Sequence, residues 1–352
     1  MKLIHTADLH LDSVLEANLD PTLAATRRKE LLLSFDRMVT YAQENGVPVI
    51  LIAGDLFDTP HPAPDAESYV LGVIAAHPQI DFLVLTGNHG GSYRPLDPPA
   101  NYHTFPARSF SSYGYGNVVI YGCEDCGAFA ALPPLSPDTV NIVMLHGALT
   151  DSTTDLAGIN LKFYQNRNID YLALGHYHAY RKEQLDTRGV WCYSGTPEGR
   201  GFDETGEKGF VLIETAEKKL SSVFIPFAKR TIHQVTVDIS RLFSQKDIEQ
   251  AVTAAVRGIP ANDLVRVTLR GYAEADMHKD AGQIAMRLEG QFFFVTVEDK
   301  SNLSLRQEEL EHDVSLRGEF VRTVMRSGLP REVQERIIQC GIRALNGEEI
   351  LE

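Results

Sequence analysis

The strongest constraint on this chain is one pattern met five times in its first half: a short, unbroken apolar run that stops at a polar residue. KLIHTADLH near the start, then PVILIAGD, DFLVLTGNH, NIVMLHG and YLALGHYH, all share it. A strand with one wet face alternates apolar and polar side chains, whereas a run without alternation is buried on both faces, as in the central strands of a covered sheet. Between the first two runs, residues 23–45 place Leu31, Phe35, Met38, Val39 and Ala42 on one helical face that ends at Gly46. Strands alternating with helices predict an α/β fold.

The pattern changes further along. Residues 181–227 carry short runs such as VWCYSG, GFVLIE and SVFIPF between turn residues, the mark of antiparallel strands completing a sheet. Beyond a polar break near FAKRTIH, strand and helix signals alternate again in a smaller α+β unit. The last fifty or so residues are helical, with Leu310, Val314, Phe320, Val321 and Val324, then Val333, Ile337, Ile338 and Leu345, near helical spacing. A chain of 352 residues is long for one core. The expected division is a catalytic domain at 1–229, a capping domain at 230–300 and a helical segment at 301–352.

Composition excludes several classes. No apolar run is long enough to span a bilayer, and no secretory leader precedes the first strand, so no membrane association and a cytoplasmic location are expected. Four cysteines make no disulfide framework, and Cys123 with Cys126 form a lone C-x-x-C that reads as a turn. A formal net charge of -14 argues against a protein that coats nucleic acid through many basic contacts, though not against a DNA enzyme.

The chemistry sits where the five runs end. Asp8 and His10 follow the first, Asp55 the second, Asn88 the third, His146 the fourth, and His176 and His178 the fifth. In open sheets ligands bind beyond the carboxyl ends of the strands, so one crevice would collect all seven side chains. Each motif alone is an ordinary turn, cap or buried histidine; their joint placement is not. Oxygen and nitrogen donors without sulfur suit two divalent ions, with manganese, iron and zinc all compatible. Asp55, alone on its strand end, is the natural bridge. Asp8, His10 and His178 would complete one position, and Asn88, His146 and His176 the other. Such a pair activates water for in-line attack on phosphorus. His89 is placed to protonate the departing oxygen, and Asp58, taken to lie one helical turn beyond Asp55, to orient that imidazole.

The ordered set D-L-H, GD-L-F-D, GNH, H and GH-Y-H resembles the calcineurin-like metallophosphoesterase superfamily over about residues 1–227. The opening HTADLHLDS and the segment YSGTPEGRGFDETGEKG at 193–209 look like its SbcD branch, the bacterial counterpart of the meiotic recombination nuclease. The resemblance implies a four-layer sheet sandwich flanked by helices, with an α+β DNA-capping domain and a helical tail. It also implies a manganese-dependent DNA exo- and endonuclease, a homodimer and an SbcC-like coiled-coil ATPase partner. Its seven ligands and proton donor fall on the residues named above. One departure is Gly90, where the family carries an acidic residue after the histidine. Arg200 is a candidate for substrate phosphate, since its planar fork lies between glycines. Two other readings compete with the nuclease: a phosphodiesterase for a small substrate such as a cyclic nucleotide, and a non-catalytic scaffold subunit.

Overall fold

In a computed structural model, the residues described are all but 16–20, 90–92, 125–131, 153–157, 218, 274–276, 278, 304–313 and 346–352. The chain divides into two compact units, Met1–Thr231 and Ile232–Glu352.

The first unit is built on two six-stranded sheets. In one, β1 (Lys2–Thr6), β2 (Val49–Ala53), β3 (Asp81–Leu85) and β4 (Tyr102–Thr104) run parallel. That sheet is extended beside β1 by antiparallel β11 (Gly209–Ala216) and β12 (Lys219–Pro226). In the other, β6 (Val118–Gly122), β7 (Val140–His146), β8 (Tyr171–Gly175) and β10 (Val190–Tyr193) are parallel, edged by antiparallel β5 (Ser111–Tyr115) and β9 (Arg181–Gln184). All five unbroken runs are strands here, and the parallel pairing puts their carboxyl ends on common edges.

Burial on both faces explains those runs. Leu3, Leu51 and Leu83 point between the sheets and meet Ile142, Met144 and Tyr171. Ile4, Ile50, Ile52 and Phe82 point the other way, onto helices α1 (Pro21–Glu44) and α2 (Pro64–Ala76). Every apolar position expected on the inner face of α1 is buried, from Leu31 to Ala42. The outer face of the second sheet, through Val143, Leu145, Leu172 and Leu174, is covered by Leu132, Leu135, Ile159 and Tyr164 from connecting segments.

In the second unit β13 (Ile232–Asp238), β14 (Leu264–Arg270) and β16 (Phe294–Asp299) pair in parallel. Helices α3 (Gln245–Ala255) and α4 (Ala281–Leu288) are the crossovers that parallel pairing needs. Ser244 and Asp280 cap them by accepting from the backbone N–H of Asp247 and Gln283. Two-residue strands β15 (Tyr272–Ala273) and β17 (Asn302–Leu303) pair beside them. The chain then forms α5 (Leu316–Met325) and α6 (Arg331–Leu345), joined through Val321, Val324, Ile338 and Ile342. Of the expected apolar stripe, Val314, Val333, Ile337 and Leu345 stay exposed, and Leu310 lies outside the described residues. Among the described residues, no helix is long and apolar enough to cross a membrane.

Candidate metal centre

Just past the strand ends the backbone turns sharply. Asp8, His10, Asp55 and His176 all have positive φ, between 47° and 113°. Backbone hydrogen bonds hold these turns to one another: the N–H of Asp8 donates to the Gly54 carbonyl and that of His10 to the Asp55 carbonyl, each at 3.0 Å. The Asp55 N–H reaches the Thr86 carbonyl at 3.1 Å, fastening the end of β3. Across to the other sheet, the His176 N–H donates to both Asp8 oxygens at 2.9 and 3.0 Å.

The seven side chains named from the sequence come together. Ligand atoms of Asp8, His10 and His178 lie within 4.8 Å of one another, and so do those of Asp8, Asp55 and His146. Asn88 joins the second group, its Oδ1 2.6 Å from His146 Nε2 and 3.3 Å from His176 Nδ1. Asp55 Oδ2 stands 3.2 Å from His146 Nε2 and 3.9 Å from His10 Nε2, between the two groups. Asp8 touches both sets as well, so two carboxylates rather than one lie at the junction.

These residues fit a pair of divalent ions. The His10 side chain is 1% exposed, and its buried Nε2 has no hydrogen-bond partner among the described residues. Such an orphan costs about 1–3 kcal/mol unless something binds it. The far nitrogens face acceptors: His10 Nδ1 is in ion-pair contact with Asp58 Oδ1 at 2.5 Å, while His178 Nδ1 is hydrogen-bonded to Glu204 Oε1 at 2.7 Å and His146 Nδ1 to the Ala53 carbonyl at 2.9 Å. Holding one ring nitrogen fixes the tautomer and aims the other, the usual support of a metal-ligating histidine. Burial pushes the Asp8 carboxyl up, with His146 and His178 opposing it. Burial works against ionised Asp55 too, but the His146 hydrogen bond and charge hold its pKa below the ordinary value. Burial and the neighbouring His146 lower His176, favouring the neutral form that binds metal.

The remaining sequence expectations fared differently. Asp58 is not on a helix: residues 56–61 are a series of bends, and α2 starts only at Pro64. Prolines at 60, 62 and 64 keep the preceding residues out of helical conformation. Asp58 is engaged by His10 and by Arg200, at 3.3 Å, rather than by His89. Asp12, unassigned from the sequence, accepts from the Asp58 N–H at 2.6 Å. Arg200, the candidate for a substrate phosphate, is already paired with Glu204 and Asp58. His89 is exposed, with its N–H on Asp55 Oδ1 at 2.9 Å and its ring 5.2 Å from that of His10. His103 is far from the strand ends, paired with Asp81 at the start of β3. Gly90 and Cys126 lie outside the described residues. Two carboxylates were missed. Glu204 is buried behind His178, and Glu124 accepts from the Thr86 N–H and hydroxyl at 2.6 and 2.7 Å, bracing the turn that carries Asn88. The only signal for Glu204 was its place in the 193–209 segment; Glu124 had none.

Residues 1–181 match the calcineurin-like phosphoesterase family. The chain belongs to that family. The calcineurin-like phosphoesterases are hydrolases holding two divalent ions, and this member offers ligand groups for both. It is similar to YhaO of Bacillus subtilis (strain 168), an uncharacterized metallophosphoesterase 28% identical over 295 residues, which cover 77% of this chain and 72% of that protein. Among solved structures, a dimetal phosphatase from Danio rerio superposes with a TM-score of 0.42 at 12% identity, over 63% of this phosphoesterase and 95% of that chain. TT1561 of Thermus thermophilus gives a TM-score of 0.39 at 10% identity, over 63% and 98% of the two chains.

Proposed function

We propose that this phosphoesterase is a DNA exo- and endonuclease of the SbcD type, using two manganese ions and working as a homodimer with an SbcC-like ATPase. The observation that carries the diesterase reading is the junction of two ligand groups at Asp8 and Asp55, with the Nε2 atom of His10 buried there unpartnered. Bound ions would supply an activated water and neutralise phosphate charge, which is the chemistry a phosphodiester requires. Asp8, His10 and His178 would hold one ion, Asn88, His146 and His176 the other, with Asp55 and Asp8 between. Asn88 and the partly buried His176 line the open side, where a phosphate would lie. His89, exposed beside His10, would give its proton to the leaving oxygen, and its backbone N–H on Asp55 ties its position to that of the ligands.

DNA as substrate is supported by the 193–209 segment and by the additional unit beyond residue 231. The net charge of -14 favours the competing reading, a phosphodiesterase for a small substrate. The test is manganese-dependent degradation of an end-labelled linear duplex by the purified chain, beside His89→Asn and a small chromogenic diester. Shortening of the duplex from one end, with an inert variant, supports both the nuclease and the proton donor. Turnover of the diester alone gives the substrate to the second reading. Stoichiometric metal binding without turnover of either leaves a scaffold subunit.

A further inference from the structure

Two of the supported histidines share one support. Asp58 stands behind His10 and Glu204 behind His178, and the two carboxylates come from segments 146 residues apart in the chain, yet a single guanidinium joins them. Arg200 Nη1 lies 3.3 Å from Asp58 Oδ1, while Nε and Nη2 donate to Glu204 Oε1 at 3.1 and 2.8 Å. The backbone N–H of Arg200 donates to the other Glu204 oxygen at 2.7 Å. The guanidinium also lies against the ring it supports, Nη2 being 3.2 Å from His178 Nδ1.

The segment itself is anchored from behind. Arg27 on α1, 2% exposed, donates to the Gly199 carbonyl at 2.7 Å and to Glu198 at 3.1 Å. From the next turn, Lys208 donates to the His178 carbonyl at 2.7 Å. Beyond the bonds between Arg200 and Glu204, the loop is thus held from outside, and it presents Arg200 to the two carboxylates.

We infer that Arg200 is a positioning residue for one of the two metal positions, locking the Asp58–His10 and Glu204–His178 pairs into one unit with Asp8. A planar fork spans two carboxylates at fixed angles, which an ammonium does not. Without it, buried Glu204 and half-buried Asp58 repel, and the two imidazoles lose their common alignment. The position formed by Asp55, Asn88, His146 and His176 has other supports, the Ala53 carbonyl among them. Loss of Arg200 is thus selective.

The inference rests on the dinuclear reading proposed above. Metal-stripped full-length protein and its Arg200→Gln, Arg200→Lys and Glu204→Gln variants are titrated with Mn(II) by calorimetry and electron paramagnetic resonance, with thermal unfolding as the folding check. Wild type takes up two ions. Arg200→Gln keeps one at unchanged affinity and binds the other about 10–100-fold more weakly, the usual loss when a ligand's outer partner is removed. Its spectrum then shows a lone ion at concentrations where wild type shows a coupled pair. Glu204→Gln weakens the same ion, and Arg200→Lys does not restore it. Equal weakening of both ions, wild-type affinity in Arg200→Lys, or unchanged binding with a raised KM for a diester would each overturn the inference. Failure of wild type to bind any ion would instead remove the metal reading itself.

Discussion

At the scale of single residues, the site is made by backbone that side-chain-bearing residues seldom adopt. Asp8, His10 and Asp55 sit near φ 50°, and His176 at 113°, each at a cost of about 1–3 kcal/mol. The cost is tolerated because hydrogen bonds between strand ends leave those residues no alternative. Glycine supplies clearance beside them. Gly54 has φ +103°, and a Cβ there would lie 2.0 Å from His146 Nδ1. Gly54→Ala is therefore expected to displace the His146 ring, to weaken the ion held by Asp55 and Asn88, and to lower stability by at least about 1–3 kcal/mol from strain alone. Manganese titration and the urea midpoint measure both effects; a variant with wild-type values in each would refute this account of Gly54. From the sequence, Gly54 reads only as a turn residue, because its neighbour His146 lies 92 positions away.

At the scale of elements, α1 does more than cover the sheet. Its inner face carries Arg27 and Glu30, both buried, and Glu30 receives Arg27 at 2.5 Å, Arg230 at 2.7 Å and Lys229 at 2.9 Å. Burial opposes ionisation of Glu30, but the hydrogen bonds from Arg230, Lys229 and Arg27 outweigh it and hold its pKa down to about 2, from an ordinary 4.5. The unfolded chain therefore takes up this proton at higher pH than the folded one. The stabilisation is complete above about pH 4.5 and is lost as pH falls towards about 2. Glu30→Gln removes the carboxylate that Arg27 and Arg230 share and is expected to lose about 3–5 kcal/mol at neutral pH. It also flattens the acid side of the stability profile, which urea unfolding from pH 7 to pH 2 would reveal; an unchanged profile would count against the network. Periodicity located the apolar face of α1 correctly but was blind to this pair, because charged residues on a helix read as solvent-facing until partners from residues 198 and 230 arrive.

At the scale of the whole molecule, all seven candidate ligands and the carboxylates behind them belong to the first of two compact units. A fragment of residues 1–231 is expected to fold, to bind manganese with the stoichiometry of the full chain and to cleave a small diester. If the second unit engages DNA, the fragment loses duplex degradation by a factor well beyond any loss on the diester. An unfolded fragment, or one that degrades duplex as well as the full chain, would contradict that division of labour.

Local pattern alone dictates the strands and where they end. Unbroken apolar runs are stable only when buried on both faces, and the parallel order of such strands forces their carboxyl ends, with Asp8, Asp55, Asn88, His146 and His176, toward a common edge. What stands behind those residues comes from the packing of distant segments. Asp58 turned to His10 because prolines kept its segment from forming a helix, Glu204 closed on His178 across a loop, and Arg200 joined the two carboxylates instead of facing outward. Residue spacing along a strand is set by local geometry and can be read from local pattern, whereas partnerships between buried charges depend on which segments fold against each other, and no local pattern carries that.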